Sequence, residues 1–300
     1  ALFWRQRGAE SSGSFFSFLF PAKIYTHPSV WMDVKLWVVI ALIVKLGLFG
    51  VLYQAVYMGA SFLEWLLDLF WVGRQGGEAP DLTDRLIYTL VFTLCIDFGF
   101  FIMHYCQHKI AWLWAFHKVH HSAAVLTPIT ANRHHPVDYV IHAASAITMG
   151  SIATVLFTRL HGTEIDSVTL FNTSAIHFFY YMTANLRHSH LWLSFGPLIS
   201  RLFVSPAMHQ IHHSIDARHY DRNFGFVFSI WDWLFRCRYI PTQKEDVQVG
   251  LLPGETPYRG FLDMMWRPFP DSLKAFSATG RWRRKKNLQP HRAAVTRSAR

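Results

Sequence analysis

The chain has 300 residues, of which 51% are hydrophobic and only 16% charged, with 26 Phe, 12 Trp and 11 Tyr, more apolar surface than one soluble core needs. Its formal charge of +10 is concentrated at the ends, at Arg5 and Arg7 and again at Arg281, Arg283, Arg284, Lys285, Lys286, Arg292, Arg297 and Arg300. Basic flanks beside apolar segments follow the positive-inside bias and suit anionic headgroups, so no nucleic-acid partner is expected and the composition points to a membrane protein.

Residues 1–33 read as a polar, Ser-rich start, an aromatic interfacial stretch from Phe15 to Pro21 and a loop at His27-Pro28. The apolar run Phe15–Phe20 is short and ends at Pro21, so no cleavable signal is expected. A helix from about Val34 to Ala60 is long enough to cross a hydrocarbon core of ~30 Å at ~1.5 Å per residue, with Lys45 as its one central charge. The apolar stretch from Phe62 to Trp71 is too short to span alone, and a Gly-rich break runs from Gly73 to Pro80. Asp81-Leu-Thr-Asp84 resembles a capping box and opens a helix from Arg85 to about His108, apolar up to Met103 apart from Asp97.

A second hydrophobic pair, Val137 to Thr158 and Ile165 to Met182, is joined by the short polar link Arg159 to Glu164 and reads as a helical hairpin. Beyond it, Phe195–Phe203 and Phe224–Trp233 read as interfacial helices over the cytosolic face. Residues 271–300 form a basic tail, either solvated or lying on headgroups. The expected fold is an all-α integral membrane protein of about four transmembrane helices in two hairpins, with a cytosolic helical cap carrying a histidine-rich site. Its parts are an N-terminal interfacial segment (1–33), a membrane-embedded catalytic domain (34–270) and the tail (271–300). Cys95, Cys106 and Cys237 give neither an even disulfide set nor a Cys-x-x-Cys pair, which suits a reducing, cytosol-facing site.

Of the 18 histidines, all but His27 and His291 fall between positions 104 and 219. Three clusters stand out: His104-x-x-x-His108, His117-x-x-His120-His121 and His209-x-x-His212-His213. Residues three and four apart on a helix share a face, ~5–6 Å between Cβ atoms, so each cluster can present its imidazoles to an ion. A lone His-x-x-x-His is an ordinary helix pair, but two further His-x-x-His-His clusters in one chain are a metal-binding pattern. Eight imidazoles exceed what one ion takes from protein, so two ions are the economical count.

With these motifs the sequence resembles the fatty acid hydroxylase/sterol desaturase superfamily of membrane-bound, oxygen-activating non-haem iron enzymes. The resemblance runs from Phe20-Pro21 to Ile240-Pro241 and includes Asn132-Arg133-His134-His135-Pro136, Asn185-Leu-Arg187-His188-Ser-His190 and Asp221-x-Asn223-Phe224-Gly225. It implies that His104, His108, His117, His120, His121, His209, His212 and His213 are metal ligands, with His188 as an additional one and His190 its nearest competitor. His135 is a ligand or supports one, and His177, inside an apolar stretch, is a ligand or a core histidine. His134, His142 and His161 read as structural. Asp97, seven residues before His104, and Asp138 and Asp216, each three after a histidine, are positioned to accept the free N–H of a ligating imidazole. No catalytic side chain beyond the ligands is expected. Trp112, Trp114, Phe116 and Trp192 would wall a lipid channel.

The resemblance implies two ferrous ions with O2 as co-substrate. It also implies a membrane lipid hydroxylated at a C–H bond, with desaturation by the same site as the alternative. A divalent-metal transporter or store is the reading from another class. No haem or four-cysteine iron–sulfur pattern is visible, so a separate electron donor of ferredoxin or cytochrome b5 type, with its reductase, is expected. The location expected is multi-pass, with the site on the cytosolic face of a bacterial inner membrane, or of the endoplasmic reticulum in a eukaryote.

Overall fold

The computed structural model describes residues 14–70, 76–170, 173–174 and 185–278. Two long helices form its axis: α5 (Leu82–Lys109) and α7 (Pro136–His161), numbered after α1 (Phe15–Leu19), α2 (Ala22–Tyr25), α3 (Pro28–Lys45) and α4 (Leu48–Phe70). The predicted capping box opens α5: Asp81 Oδ1 accepts from the Asp84 amide at 2.8 Å, and Asp84 Oδ2 accepts from the Asp81 amide at 3.1 Å. In α7, Pro136 sits in the first turn, where its missing N–H costs nothing, and Gly162 closes the far end in the left-handed region at φ 76°.

The two helices touch where Gly99 removes a side chain. A Cβ there would lie 2.7 Å from the Ser145 carbonyl oxygen, and Ser145 Oγ donates to the Gly99 carbonyl at 2.8 Å. This close approach brings the His-bearing end of α5 alongside the start of α7. Helix α6 (Ala111–His121) turns back from α5 at Ile110, and α12 (Pro268–Ser277), preceded by α11 (Phe261–Trp266), packs on its outer side. Lys118 Nζ donates to Asp271 Oδ2 at 2.9 Å, and Phe116 meets Phe269 edge-on. The helix α12 thus runs across position 270.

A buried ion pair ties α3 to the far end of α6. Arg133, 2% exposed, donates to Asp33 Oδ1 at 2.6 Å and to the carbonyls of Ser29, Val119 and Ser122. Removing one partner of such a pair costs about 3–5 kcal/mol, because the other charge is left buried and uncompensated.

Several expected elements differ in the structure. The helix expected over Val34–Ala60 is two helices, broken at Leu46-Gly47 where Gly47 takes φ 74°, and α4 continues through the stretch expected to stand apart. Among the described residues, α5 and α7 are the helices long and apolar enough to cross a membrane; α1–α2 with α3, bent by 85°, would make a third. These helices suit a membrane protein, with two candidate spans, or three with the bent pair, among the described residues. The described part of the expected span Ile165–Met182 is extended, with β1 (Thr169–Leu170) antiparallel to β2 (Thr173–Ser174); residues 175–184 lie outside the description.

The segments Phe195–Phe203 and Phe224–Trp233 are not continuous helices. They contain only α8 (Gly196–Ile199) and α10 (Ile230–Leu234), between which lies α9 (Pro206–His212). Carboxylates explain why residues 224–228 are not helical: Asp232 takes the amides of Phe224 and Gly225, and Asp97 takes those of Val227 and Phe228. Amides held by side chains are not available to a helix.

Candidate metal centre

Nine histidines converge from four elements, all buried: His104 and His108 on α5, His117, His120 and His121 on α6, His188 on the 3₁₀ turn Asn185–His188, and His209, His212 and His213 on and just after α9. Ser205 and Pro206 start α9 by N-capping, which aims its histidines inward.

The imidazoles sort into two groups. His104, His108, His117, His121 and His212 each bring one ring nitrogen to within 4.8 Å of the others, and so do His120, His188, His209 and His213. Each His-x-x-His-His cluster is therefore divided: the i, i+4 pair enters one group and the middle histidine enters the other. His117 and His121 join the first and His120 the second; His209 and His213 join the second and His212 the first. The sequence puts the three imidazoles of each such cluster on one helix face, and the packing divides that face between two groups. The groups adjoin, with the rings of His121 and His213 stacked 4.5 Å apart.

In the four-histidine group the Nε2 atoms crowd together: His188 to His209 at 2.9 Å, His213 to His188 and to His209 at 3.1 Å, and His188 to His120 at 3.2 Å. In the five-histidine group the Nε2 atoms of His104, His108 and His117 are buried without a hydrogen-bond partner, and His212 Nε2 lies 3.2 Å from His121 Nε2. Neutral imidazoles have one N–H each, so such convergence leaves lone pairs facing lone pairs. A cation resolves it: ligand nitrogens ~2.0–2.1 Å from a metal stand roughly 3–4 Å from one another. Burial, and then neighbouring imidazoles, push His120, His121, His209 and His213 well below the usual histidine range, and burial with the adjacent Arg187 guanidinium does the same to His188. His212 is lowered to about 3, chiefly by burial. These rings are neutral at physiological pH, the form that binds metal. The nine side chains fit two metal ions.

The five-histidine group is braced from behind. His104 Nδ1–H donates to the Phe224 carbonyl at 2.9 Å, His212 Nδ1–H to the Arg222 carbonyl at 2.9 Å, and His117 Nδ1–H to Asp138 Oδ1 at 3.2 Å. Each bond fixes a tautomer and turns Nε2 toward the centre. A family comparison covers this whole constellation, matching the fatty acid hydroxylase model over residues 89–237. Residues 89–237 of this chain belong to the fatty acid hydroxylase family.

Similar proteins to this fatty acid hydroxylase domain modify lipids, by their names. An ornithine lipid hydroxylase from Rhizobium tropici is 27% identical over 190 residues, 63% of this chain and 53% of that protein. An alkylglycerol monooxygenase from Caenorhabditis elegans is 25% identical over 173 residues, 57% of this chain and 31% of its own length. A Delta(7)-sterol 5(6)-desaturase from Eremothecium gossypii is 25% identical over 219 residues, 72% of this chain and 55% of its own. The chain thus spans about half, or less, of these relatives. No solved structure matches it.

Within the hydroxylase domain the three candidate carboxylates part ways. Asp138 touches the metal group, but through His117 and His134 rather than His135: its Oδ2 accepts from His134 Nδ1–H at 2.5 Å, and Gln107 Nε2 donates to Oδ1. Asp97 touches no imidazole; besides two amides it accepts Trp231 Nε1–H at 2.8 Å, so it acts through the loop that carries the Phe224 carbonyl. Asp216 caps the turn Ala217–His219 and pairs with Arg218, away from His213.

His135 and His190 stay outside both groups. His135 Nδ1 accepts the Val137 amide and its Nε2–H donates to the Met265 carbonyl, which uses both nitrogens. His190 Nε2–H donates to the Phe18 carbonyl at 2.9 Å. His177 lies outside the described residues.

Sequence reasoning passed over His134 and His142, which stand four residues before and after Asp138. His134 stacks on His120 with centroids 4.4 Å apart and planes at 10°, and His142 lies 5.8 Å from the His117 ring. The spacing around Asp138 was a readable signal.

Both groups border a cavity of about 290 Å³, walled by Phe100, Tyr139, Ala143, Phe224 and Phe226, with Asn132, Asn185 and Arg187 as its polar elements. Trp112, Phe116 and Trp192 are not part of that wall. Trp112 packs on Phe276, Phe116 on His135 and Phe269, and Trp192 in a core with Ala207 and Ile211. Trp114 lies on the other side of the histidines, 4.9 Å from the His108 ring, beside a pocket of about 40 Å³.

Proposed function

We propose that the chain is an O2-dependent di-iron hydroxylase of a membrane lipid, with His104, His108, His117, His121 and His212 holding one iron and His120, His188, His209 and His213 the other. One observation carries this reading: two adjacent, buried all-imidazole groups border one cavity with aromatic and aliphatic walls. Imidazole sets of this kind accept several transition metals, and iron follows from the chemistry, since oxidising an unactivated C–H bond with O2 needs a redox-active metal. When bound, an iron pair would supply the reduction of O2 and the hydrogen abstraction. In balance, R–H, O2, two electrons and two protons give R–OH and water. The electrons come from a separate ferredoxin or cytochrome b5 type donor, and the histidine face lies toward the cytosol.

The chain's own residues do the rest. Phe100, Phe224 and Phe226 keep water from the substrate carbon. Arg187, whose Nη1 donates to the Phe226 carbonyl at 3.0 Å while its guanidinium lies over the Phe226 ring, gives the cavity a fixed cation for a lipid's polar end. Asp138 holds His117 in the tautomer that turns Nε2 inward.

The test is purified protein with iron and a lipid extract under labelled O2: two irons per chain and one labelled oxygen in the lipid are expected. A double bond without label would favour the desaturase reading, for which the sterol desaturase relative is the supporting observation. Metal flux into vesicles without O2 consumption would overturn both in favour of transport.

A further inference from the structure

The segments around α8 and α10 form one surface. Ser229 donates its amide to the Leu202 carbonyl at 2.9 Å and its hydroxyl to the Ser200 carbonyl at 2.7 Å, and Phe203 bridges Phe228. This joins Leu198, Ile199 and Leu202 to Ile230, Trp233 and Leu234, six large apolar side chains between 41% and 73% exposed. Arg201 and Arg236, both exposed, belong to the same two segments, and Arg238 donates to the Arg201 carbonyl at 3.2 Å. Their only acid, Asp232, is fully buried beneath the surface and occupied by the Phe224 and Gly225 amides. The face is therefore apolar with a purely cationic rim.

Contacts along α5 set its position relative to that helix. Asp97 accepts from Val227, Phe228 and Trp231, Trp231 packs on Phe98 with centroids 5.0 Å apart, and Phe235 packs on Phe101 at 4.9 Å. Asp97 is twelve residues before the end of α5, about 18 Å down its axis at ~1.5 Å per residue. A 28-residue helix is roughly 42 Å long and exceeds a ~30 Å hydrocarbon core, and its polar residues from His104 to Lys109 mark the end that emerges; the face meets α5 at residues 97–101, within about 11 Å of His104 along the axis.

We propose that this composite face is a monotopic membrane anchor: Leu198, Ile199, Leu202, Ile230, Trp233 and Leu234 dip into the leaflet beside α5, and Arg201, Arg236 and Arg238 meet anionic phospholipid headgroups. Apolar residues buried to the headgroup–acyl boundary with arginines at the rim bind lipid by area and charge together. A second copy of the chain fits less well, because a two-fold contact through this face would set one arginine rim against its like. The proposal concerns membrane depth and stands apart from the reaction proposed above, since its readouts need neither iron nor turnover.

The test uses the full chain in vesicles of equal parts phosphatidylcholine and phosphatidylglycerol, the former brominated near the carbonyl end of its acyl chains. W233F is expected to lose a component of tryptophan emission that the brominated lipid quenches and aqueous acrylamide does not. The double variant R201E/R236E is expected to lose the preference of this quenching for phosphatidylglycerol over pure phosphatidylcholine vesicles. A Trp233 component quenched by acrylamide but not by brominated lipid would overturn the proposal. So would a detergent-solubilised dimer that Leu234→Arg splits, or an R201E/R236E protein that keeps its lipid quenching and instead binds a reduced acidic electron-transfer protein more weakly. Circular dichroism of each variant confirms that the difference comes from a folded protein.

Discussion

In the five-histidine group, three imidazoles are held from behind by named acceptors: His104 by the Phe224 carbonyl, His212 by the Arg222 carbonyl and His117 by the Asp138 carboxylate. In the four-histidine group, the Nδ1 atoms of His120, His188 and His209 are buried and have no protein hydrogen-bond partner. The same helices α6 and α9 supply both groups, so the difference lies in what stands behind the rings. A fixed tautomer and a carboxylate partner raise ligand basicity and lower the cost of organising the site. Two groups of equal ligand type thus differ in their support, and on the proposed reading the five-histidine group should hold its ion the more tightly.

The sharpest way to break that comparison is to remove one ligand from each side. His121→Ala and His209→Ala should each lower lipid turnover by more than about a hundredfold, while metal analysis falls from two ions to one. Equal turnover with two ions retained in either variant would remove that group from the site. A smaller effect is expected from Asp138→Asn, which withdraws the charge behind His117. It should weaken metal binding at the five-histidine position by about 10–100-fold in a chelator competition and leave the other position unchanged. In the unmodified protein, a chelator should strip one ion before the second.

The pH dependence treats both groups alike. His212 is lowered to about 3 when folded, against about 6.5 for an unperturbed histidine, so between these values the unfolded chain binds a proton that the folded chain does not. The stability this contributes is fully present above about pH 6.5 and is lost as pH falls toward 3. His120, His121, His188, His209 and His213 are shifted in the same direction and add to the same slope. Thermal denaturation of metal-free protein should show the midpoint falling below pH 6.5, and a rising midpoint would contradict the neutral, buried rings. The smallest effect is expected at Asp97. Asp97→Asn cannot accept all three of its donors, so it should cost roughly 1–3 kcal/mol of stability and loosen only the Phe224 support of the five-histidine group.

Much of this was legible in the residues alone, for a local reason. The capping box at Asp81 and Asp84, the apolar runs of α5 and α7, and the histidine clusters all express interactions within a few residues, which sequence order preserves. The partition of the clusters was not. Positions i, i+3 and i+4 share a broad face, and which ring turns to which centre depends on where the facing helix lies, a choice made when α6 and α9 pack against α5. The role of Asp97 was misplaced for the same reason: two turns below His104 on one helix is close in register, but the amides of Val227 and Phe228 arrive from 130 residues away and claim the carboxylate first. The non-helical run 224–228 follows from that claim. Residue order alone picked out the histidine clusters and the helices α5 and α6 that bear most of them. Packing settled how the imidazoles group, that Asp138 stands behind His117 and which apolar side chains remain exposed, because each of those depends on contacts between segments far apart in the chain.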